Sequence, residues 1–205
     1  MRNAPKTRRS LILRLRNRDD LDAWQEFAEI YQPLVFRLAR RKGFQDCDAA
    51  DLSQEVLLRV ANAVERWDPD EAHGSFRGWL FTISRNLMIT FMDKQGRRPV
   101  SGGPDPILDL VNNQPDPNSL ESQVFDEELE RQVFAWASVR IRESFHETTW
   151  EAFWQTAVSG DSAIDVAKRL QISVGAVYVA RSRVIQRLRS EVTRVMNEKQ
   201  RGEIS

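Results

Sequence analysis

The spacing of apolar residues predicts helices along almost the whole chain. Apolar positions recur at intervals of three and four, and no run alternates between apolar and polar residues as a half-buried strand does. Helices are expected at about residues 20–43, 48–67, 75–97, 119–142, 148–159, 162–170 and 174–197. Their ends coincide with capping residues and stop signals such as Asp19 or Asp20, Gly43 and Gly160. The pattern therefore predicts an all-α protein.

Proline and glycine concentrate between the third and fourth expected helices. Residues 99–118 hold five prolines and two glycines, which exclude a helix of useful length and are typical of a linker. The predicted organisation is a basic N-terminal arm at 1–18, a helical domain at 19–98, a linker at 99–118 and a second helical domain at 119–205. A chain of 205 residues is long enough for two such small domains.

Charge is unevenly distributed, although the formal net charge is +0. The first 18 residues carry seven cations and no acid, residues 181–194 carry five arginines and one acid, and acids gather at 126–130. Separate basic and acidic zones suit a chain that contacts DNA with one face and a protein with another. The alternative is that such runs are solvated helix faces. For the N-terminal arm, non-specific DNA affinity, a helical extension and disorder all stay open.

Several functional classes are disfavoured by what the sequence contains. No apolar run is long enough to cross a bilayer or to act as a secretory signal, so we expect no membrane insertion and a cytoplasmic location. Cys47 is the sole cysteine, and His73 and His146 are the only histidines. No ligand spacing for a metal and no glycine-rich phosphate cradle accompanies them. We therefore expect no enzyme, no metal site and no cofactor.

Residues 162–181 fit the pattern of a DNA-binding helix-turn-helix. Ala167 is small enough for two helices to approach closely, and apolar residues at the required offsets fill the core between them. These are Val166, Leu170, Ile172, Val177 and Ala180. Ser173 is a good N-cap for the second helix, whereas Gln171 occupies a turn position that usually prefers glycine. An ordinary helical hairpin is the alternative.

The second helix of this motif would enter the major groove with its N-terminal residues at the base edges. The candidate contacts are Ser173, Val174, Gly175, Ala176, Tyr178 and Val179. Arg181 and Arg183 are interpreted as phosphate contacts, which contribute affinity but little sequence information.

Three separate motifs resemble the extracytoplasmic-function (ECF) group of the sigma-70 family. Residues 51–56 read Asp-Leu-Ser-Gln-Glu-Val, and residues 74–86 resemble the family's Gly-x-Phe-x-x-Trp-Leu-x-x-Ile-x-Arg-Asn run. Residues 172–177 and 187–189 are similar to its Ile-Ser-x-Gly-Thr-Val and Arg-x-x-Leu-Arg elements. The resemblance implies a sigma factor that binds core RNA polymerase and directs promoter-specific transcription initiation. Region 2 would read and melt the minus-ten element, and region 4 would read the minus-thirty-five element.

The polymerase contact is expected on the second helix. Asp51, Gln54, Glu55 and Leu58 share one face through their three- and four-residue spacing. The resemblance implies that this face binds the β′ clamp helices, and that the β flap is a further contact. Acids and an amide beside leucine also suit a merely solvated helix face, which is the alternative.

The third helix mixes aromatic and cationic residues, a combination that holds unpaired bases. The minus-ten candidates are Phe76, Arg77, Trp79, Ser84, Arg85, Asn86, Lys94, Arg97 and Arg98. The resemblance assigns capture of a flipped base to the surroundings of Asn86, and an asparagine can read a base edge. Phe76, Trp79 and Ile83 also lie on an apolar stripe, which favours core packing for them.

A helix-turn-helix regulator that binds DNA without polymerase is the main alternative. It would share the C-terminal half but would leave residues 51–56 and the aromatic-basic helix unexplained. Tyr178 and Ala180 occupy positions that are commonly basic in the family, so the minus-thirty-five contacts must differ in detail. Whether an anti-sigma factor is a further partner stays open.

Overall fold

The computed structural model describes residues 6–7, 9–67, 75–95 and 119–197. The helices are α1 (Arg9–Leu15), α2 (Leu21–Arg41), α3 (Asp46–Ala63), α4 (Phe76–Gln95), α5 (Leu120–Arg142), α6 (Glu147–Phe153), α7 (Ala163–Leu170) and α8 (Val174–Val195). A π-helical segment, Trp154–Val158, continues α6. Two short strands, β1 (Lys6–Thr7) and β2 (Met196–Asn197), pair antiparallel. The predicted all-α class is confirmed, and the two-residue ladder is an addition that the apolar pattern did not show.

The chain forms two compact units. The first unit comprises Met1–Gln132 and Val195–Ser205, and the second comprises Val133–Arg194. The change from one unit to the other therefore falls inside α5. The predicted linker at residues 99–118 lies outside the described residues, so the domain limits drawn from the sequence stay a prediction.

The core of the first unit is built from the apolar faces of its helices. Fully buried side chains include Phe27, Ile30, Tyr31, Leu34, Leu52, Val56, Val60, Leu80, Phe125 and Leu129. Each buried Leu, Ile, Val or Phe side chain contributes about 1.5–3 kcal/mol relative to an exposed one. The core therefore depends on α2, α3, α4 and the first half of α5 together.

The limits of α2 are set by the residues that the sequence indicated. The Asp20 carboxylate accepts a hydrogen bond of 3.0 Å from the Ala23 N–H, and Arg14 donates two bonds of 2.7 Å to the same carboxylate. At the other end, Gly43 has φ +92°, a value that glycine adopts without strain. The predicted cap and stop are both confirmed.

The N-terminal arm contributes to the core of the first unit. Leu11, Ile12 and Leu15 of α1 are buried. Next in the chain, Arg16 donates a bond of 2.6 Å to the Trp67 carbonyl oxygen. Over Arg9–Leu15 the arm therefore forms a short packed helix of its own, and its non-specific DNA affinity stays a prediction.

Candidate functional site

The face of α3 that carries the predicted polymerase contacts is accessible. Asp51 and Gln54 are exposed, and Leu58 is 58% exposed. Glu55 is half-buried and accepts a hydrogen bond of 2.8 Å from Arg59 Nε on the next turn. Leu58 lies beside Gln54 and Glu55 on the helix surface. Its burial by a partner would be favourable, because it would remove apolar area from water. The four residues thus share one face, with Glu55 partly engaged by its own helix.

The opposite face of α3 explains why these four residues point outward. Leu52, Val56 and Val60 are at most 1% exposed, and Ser53 donates a bond of 2.7 Å to the Ala50 carbonyl oxygen. Core packing therefore fixes the rotation of α3 about its axis. That rotation leaves the Asp51–Leu58 face to solvent.

Three of the predicted minus-ten residues lie in the core, which disfavours their assignment to DNA but leaves it a prediction. Phe76 is 3% exposed, Trp79 is 8% exposed and Ser84 is 1% exposed. The Phe76 ring lies 5.4 Å from both the Trp67 and Trp79 rings, and Ser84 donates a bond of 2.8 Å to the Leu80 carbonyl oxygen. These side chains cannot stack on or bond to a base while they stay buried. Core packing, which the apolar stripe favoured, is the observed role.

The remaining candidates on α4 differ in their accessibility. Arg77 has only 14% of its side chain exposed and pairs with Asp126 of α5, which disfavours its assignment to DNA as well. Arg85 is exposed, and Asn86 beside it is half-buried. Lys94 lies in the last turn of α4, but its side chain lies outside the described part of the chain, as do Arg97 and Arg98. Arg85 and Asn86 are therefore the described candidates that a DNA strand can reach.

The first half of α5 supplies a set of acids that sequence reasoning did not connect with the first unit. Glu128, 4% exposed, accepts hydrogen bonds of 3.1 Å from Arg37 Nε and 2.9 Å from Arg41 Nη1. Burial raises the pKa of the Glu128 carboxyl, but the bonds and charges of its arginine neighbours outweigh this and hold the pKa below its ordinary value. The cluster of acids at residues 126–130 was the only feature of the sequence that pointed to these contacts.

The pKa values of Glu121 and Asp126, which lie on the same helix, are shifted in opposite directions. Lys42 and Arg85 both bond to Glu121, and these bonds lower the pKa of its carboxyl. Burial raises the pKa of Asp126 despite its bond from Arg77. Glu121 is thus held as an anion between two cations, whereas the charge on Asp126 is disfavoured by its surroundings.

A cavity of about 260 Å³ lies between α2, α4 and α5 within the first unit. Its walls are mainly apolar, and Arg41, Lys42, Arg85 and Glu121 also line it. Among its apolar residues, Ile89, Met92 and Leu120 are 38%, 42% and 76% exposed. This volume lies just below the usual range of small-molecule pockets, about 300–1,000 Å³.

In the second unit, α7 and α8 are joined by the turn that the sequence predicted. Gln171 adopts a left-handed conformation (φ 54°, ψ 42°), so the positive φ expected at this position is confirmed. Ser173 Oγ accepts a bond of 3.1 Å from the Ala176 N–H and caps α8. Ala152, Val166, Ala167, Val177 and Ala180 form the buried cluster beneath.

The start of α8 presents the predicted minus-thirty-five residues to solvent. Ser173, Val174, Gly175, Ala176, Tyr178, Val179, Arg181 and Arg183 are all exposed. Val177 and Ala180, between them in sequence, are buried, so the helix rotation is fixed by its core. Tyr178 and Val179 are 57% and 51% exposed, so their apolar surface is accessible.

Part of the first unit matches a known protein family. The family model described as Sigma-70 region 2 matches residues 27–98, which contain most of α2, all of α3 and α4, and the α3 face described above. This segment of the chain is therefore similar to sigma-70 region 2. The predicted resemblance is confirmed.

Two further proteins are similar to this chain. The ECF RNA polymerase sigma factor SigE of Mycolicibacterium smegmatis (strain ATCC 700084 / mc(2)155) is 30% identical over 100 residues. That match spans 49% of this chain but only 37% of the relative. This chain also aligns with a solved structure of CnrH in complex with the cytosolic domain of CnrY. The alignment covers 91% of this chain and 97% of the chain in that structure, at 21% identity and a TM-score of 0.35.

Within residues 6–7, 9–67, 75–95 and 119–197, no helix combines the length and apolarity that crossing a bilayer requires. In the same part of the chain, no three His, Cys, Asp or Glu side chains are grouped so that they could hold a metal ion.

Proposed function

We propose that this chain is a sigma factor that binds core RNA polymerase and directs promoter-specific, DNA-dependent transcription initiation. The match of residues 27–98 to sigma-70 region 2 carries the proposal. The accessible α3 face supports it, because Asp51, Gln54 and Leu58 are solvent-exposed beside a packed core. This face would bind the β′ clamp helices, where acids can steer the approach of a basic partner.

The first unit would also read and melt the minus-ten element. Arg85 supplies a cation and Asn86 an amide on adjacent positions of α4, and both are at least partly accessible. The cation would hold phosphate, and the amide would read the edge of an unpaired base. With Phe76, Trp79, Ser84 and Arg77 engaged inside the unit, these two residues bear the proposed contact among the described candidates.

The second unit would read the minus-thirty-five element through the start of α8. Tyr178 and Val179 offer apolar contact to bases, while Arg181 and Arg183 contact phosphates. The β flap is the polymerase contact proposed for this unit. A role in transcription would place the chain in the cytoplasm. A protein that covered the α3 face would block the proposed polymerase contact and so act as an anti-sigma factor.

Run-off transcription with core polymerase on a promoter template tests the proposal. The full chain should support initiation, and Asp51→Ala, Gln54→Ala and Leu58→Ala should each weaken capture of core polymerase without lowering the melting temperature. Glu130→Ala, which removes an exposed acid from α5, is the matched control and should bind core enzyme normally.

The same assays separate a sigma factor from a helix-turn-helix regulator. A chain that binds duplex DNA but fails to bind core polymerase, with transcription unaffected by all three α3 variants, would contradict the proposal and favour the regulator.

A further inference from the structure

Two cations from different helices converge on one carboxylate at the surface of the first unit. Lys42 Nζ, at the end of α2, lies 2.5 Å from Glu121 Oε1, and Arg85 Nε of α4 lies 2.9 Å from Glu121 Oε2. The side chains of all three residues are between 43% and 46% exposed. A carboxylate and a phosphate present similar pairs of charged acceptor oxygens to such donors. The two cations are therefore already placed to bind one phosphate group.

The Glu121 contact is one of several in which the first half of α5 neutralises cations of α2 and α4. Arg37 and Arg41 pair with Glu128, and Arg77 pairs with Asp126. Three acids of α5 thus face five cations of the two other elements within the described residues. Without these acids, the surface would have a strongly positive potential, as polyanion-binding surfaces do.

Of these contacts, the one at Glu121 is the most open to competition. Glu128 is 4% exposed, and the Arg77 side chain is 14% exposed, so a ligand could displace them only by undoing the core around α5. Glu121 lies in the first turn of α5, beside Leu120, which is 76% exposed. Its carboxylate can turn away from the two cations without exposing the buried side chains of the helix.

The surroundings of these cations suit a nucleic-acid strand better than an isolated ion. Lys42, Arg85 and Glu121 line the cavity between α2, α4 and α5, together with the partly exposed Ile89 and Met92. Single-strand sites combine a cationic track for the backbone with apolar or aromatic surfaces for the bases. A groove with cations and an apolar floor has both properties.

We propose that Lys42 and Arg85 form a phosphate-binding site for single-stranded DNA, and that Glu121 occupies this site in the free chain. The sequence-based candidates included Arg85 but not Lys42. The proposal rests on the proposed function in taking a melted promoter strand as the natural ligand. In the free chain, DNA must displace the Glu121 carboxylate before it can contact both cations.

Binding of a labelled oligothymidylate to the full chain, in the absence of polymerase, tests the site; a probe of about 15 nucleotides covers the usual footprint of such grooves. Glu121→Gln should tighten binding about three- to tenfold at low salt. For this variant, the slope of log binding constant against log salt concentration should steepen by about 0.7–1.4, the value for one or two added phosphate contacts. Glu127→Gln removes an equal charge from an exposed neighbour on α5 and should change binding less.

The gain in DNA affinity must depend on Lys42 and Arg85. In the Glu121→Gln background, Lys42→Ala or Arg85→Ala should abolish most of it. Circular dichroism and thermal melting check that each variant is folded. Glu121→Asp keeps the charge but withdraws the carboxylate, and should give a smaller gain in the same direction if Glu121→Gln melts early.

The proposal is overturned if Glu121→Gln binds the probe no more tightly than Glu127→Gln, or if the gain survives the loss of either cation. Either result would make the Glu121 contact a purely structural ion pair. Failure here is distinct from failure of the proposed function. A chain active with core polymerase but without the gain loses only this site, whereas an inactive chain with the gain keeps the site and loses the sigma role.

Discussion

Arg37 Nε donates a hydrogen bond of 3.1 Å to Oε2 of Glu128 and so joins α2 to α5 across 91 positions of the chain. Arg41, one helical turn further along α2, donates a second bond of 2.9 Å to the other oxygen of the same carboxylate. Because Glu128 is 4% exposed, its charge depends on these partners instead of on water. This carboxylate is therefore the main polar anchor of α5 on the first unit.

Replacing Glu128 by glutamine should destabilise the first unit by about 3 kcal/mol at neutral pH, since it breaks a buried ion pair and leaves the arginines without a counter-charge. The pKa of Glu128 is lower in the folded chain than its ordinary value of about 4.3. Its stabilising contribution is therefore complete above that pH and is lost as the pH falls towards the folded pKa. Urea unfolding at several pH values measures the difference.

The sign of the pH effect makes this prediction specific. The stability gap between the unmodified chain and Glu128→Gln should narrow from pH 7 to pH 3. Glu127→Gln, a change of the exposed neighbour, should leave stability nearly unchanged at each pH. A gap that stays constant across this range would show that the Glu128 charge is not what stabilises the contact.

Gln171→Gly should stabilise the second unit by about 0.5–1 kcal/mol. Gln171 has φ 54°, and a non-glycine residue in this region costs about 1–2 kcal/mol, part of which is offset by the greater freedom of glycine in the unfolded chain. Chemical denaturation measures the change. Lys168→Gly, at an exposed position in the last turn of α7, should instead destabilise by up to about 1 kcal/mol. A loss of stability in both variants would contradict the left-handed turn.

Phe76→Ala and Leu58→Ala should have opposite consequences for stability and partner binding. Phe76 is 3% exposed among aromatic rings, so its truncation should cost about 3–5 kcal/mol. Leu58 is 58% exposed, and its truncation should change stability by less than about 0.5 kcal/mol while weakening capture of core polymerase. Thermal melting and a pull-down compare the two. A stable Phe76→Ala variant would return Phe76 to the DNA candidates.

Arg181→Ala and Arg183→Ala should each weaken binding to minus-thirty-five duplexes, because both residues are exposed on α8 and are assigned to phosphates. Each variant should lower the log–log salt slope by about 0.9, and the loss should be similar for matched and unmatched duplexes. Fluorescence anisotropy over a salt series measures this. Arg66→Ala, an exposed cation of the first unit, is the control and should leave the slope unchanged. A sequence-dependent loss would instead assign the arginine to a base.

Local features of the structure agreed closely with expectation. Asp20, Gly43 and Ser173 act as the cap, stop and cap that the sequence predicted, because capping bonds and glycine conformations involve only residues a few positions apart. The segment Trp154–Val158 was expected as ordinary helix but is π-helical. A helical apolar period predicts that a segment is helical and does not distinguish these two hydrogen-bond patterns.

The sequence by itself determined the all-α class, most of the helix positions, the sigma-70 motifs and the residues on one face of α3, since each depends on spacing within a single segment. Only the tertiary structure decided that Phe76 and Trp79 are core residues, and that the acids of α5 pair with cations of α2 and α4. A helical period shows which residues share a face, but it carries no information on what covers that face. The Arg37–Glu128 bond joins positions 91 residues apart, and it exists because the apolar sides of α2, α4 and α5 pack into one core.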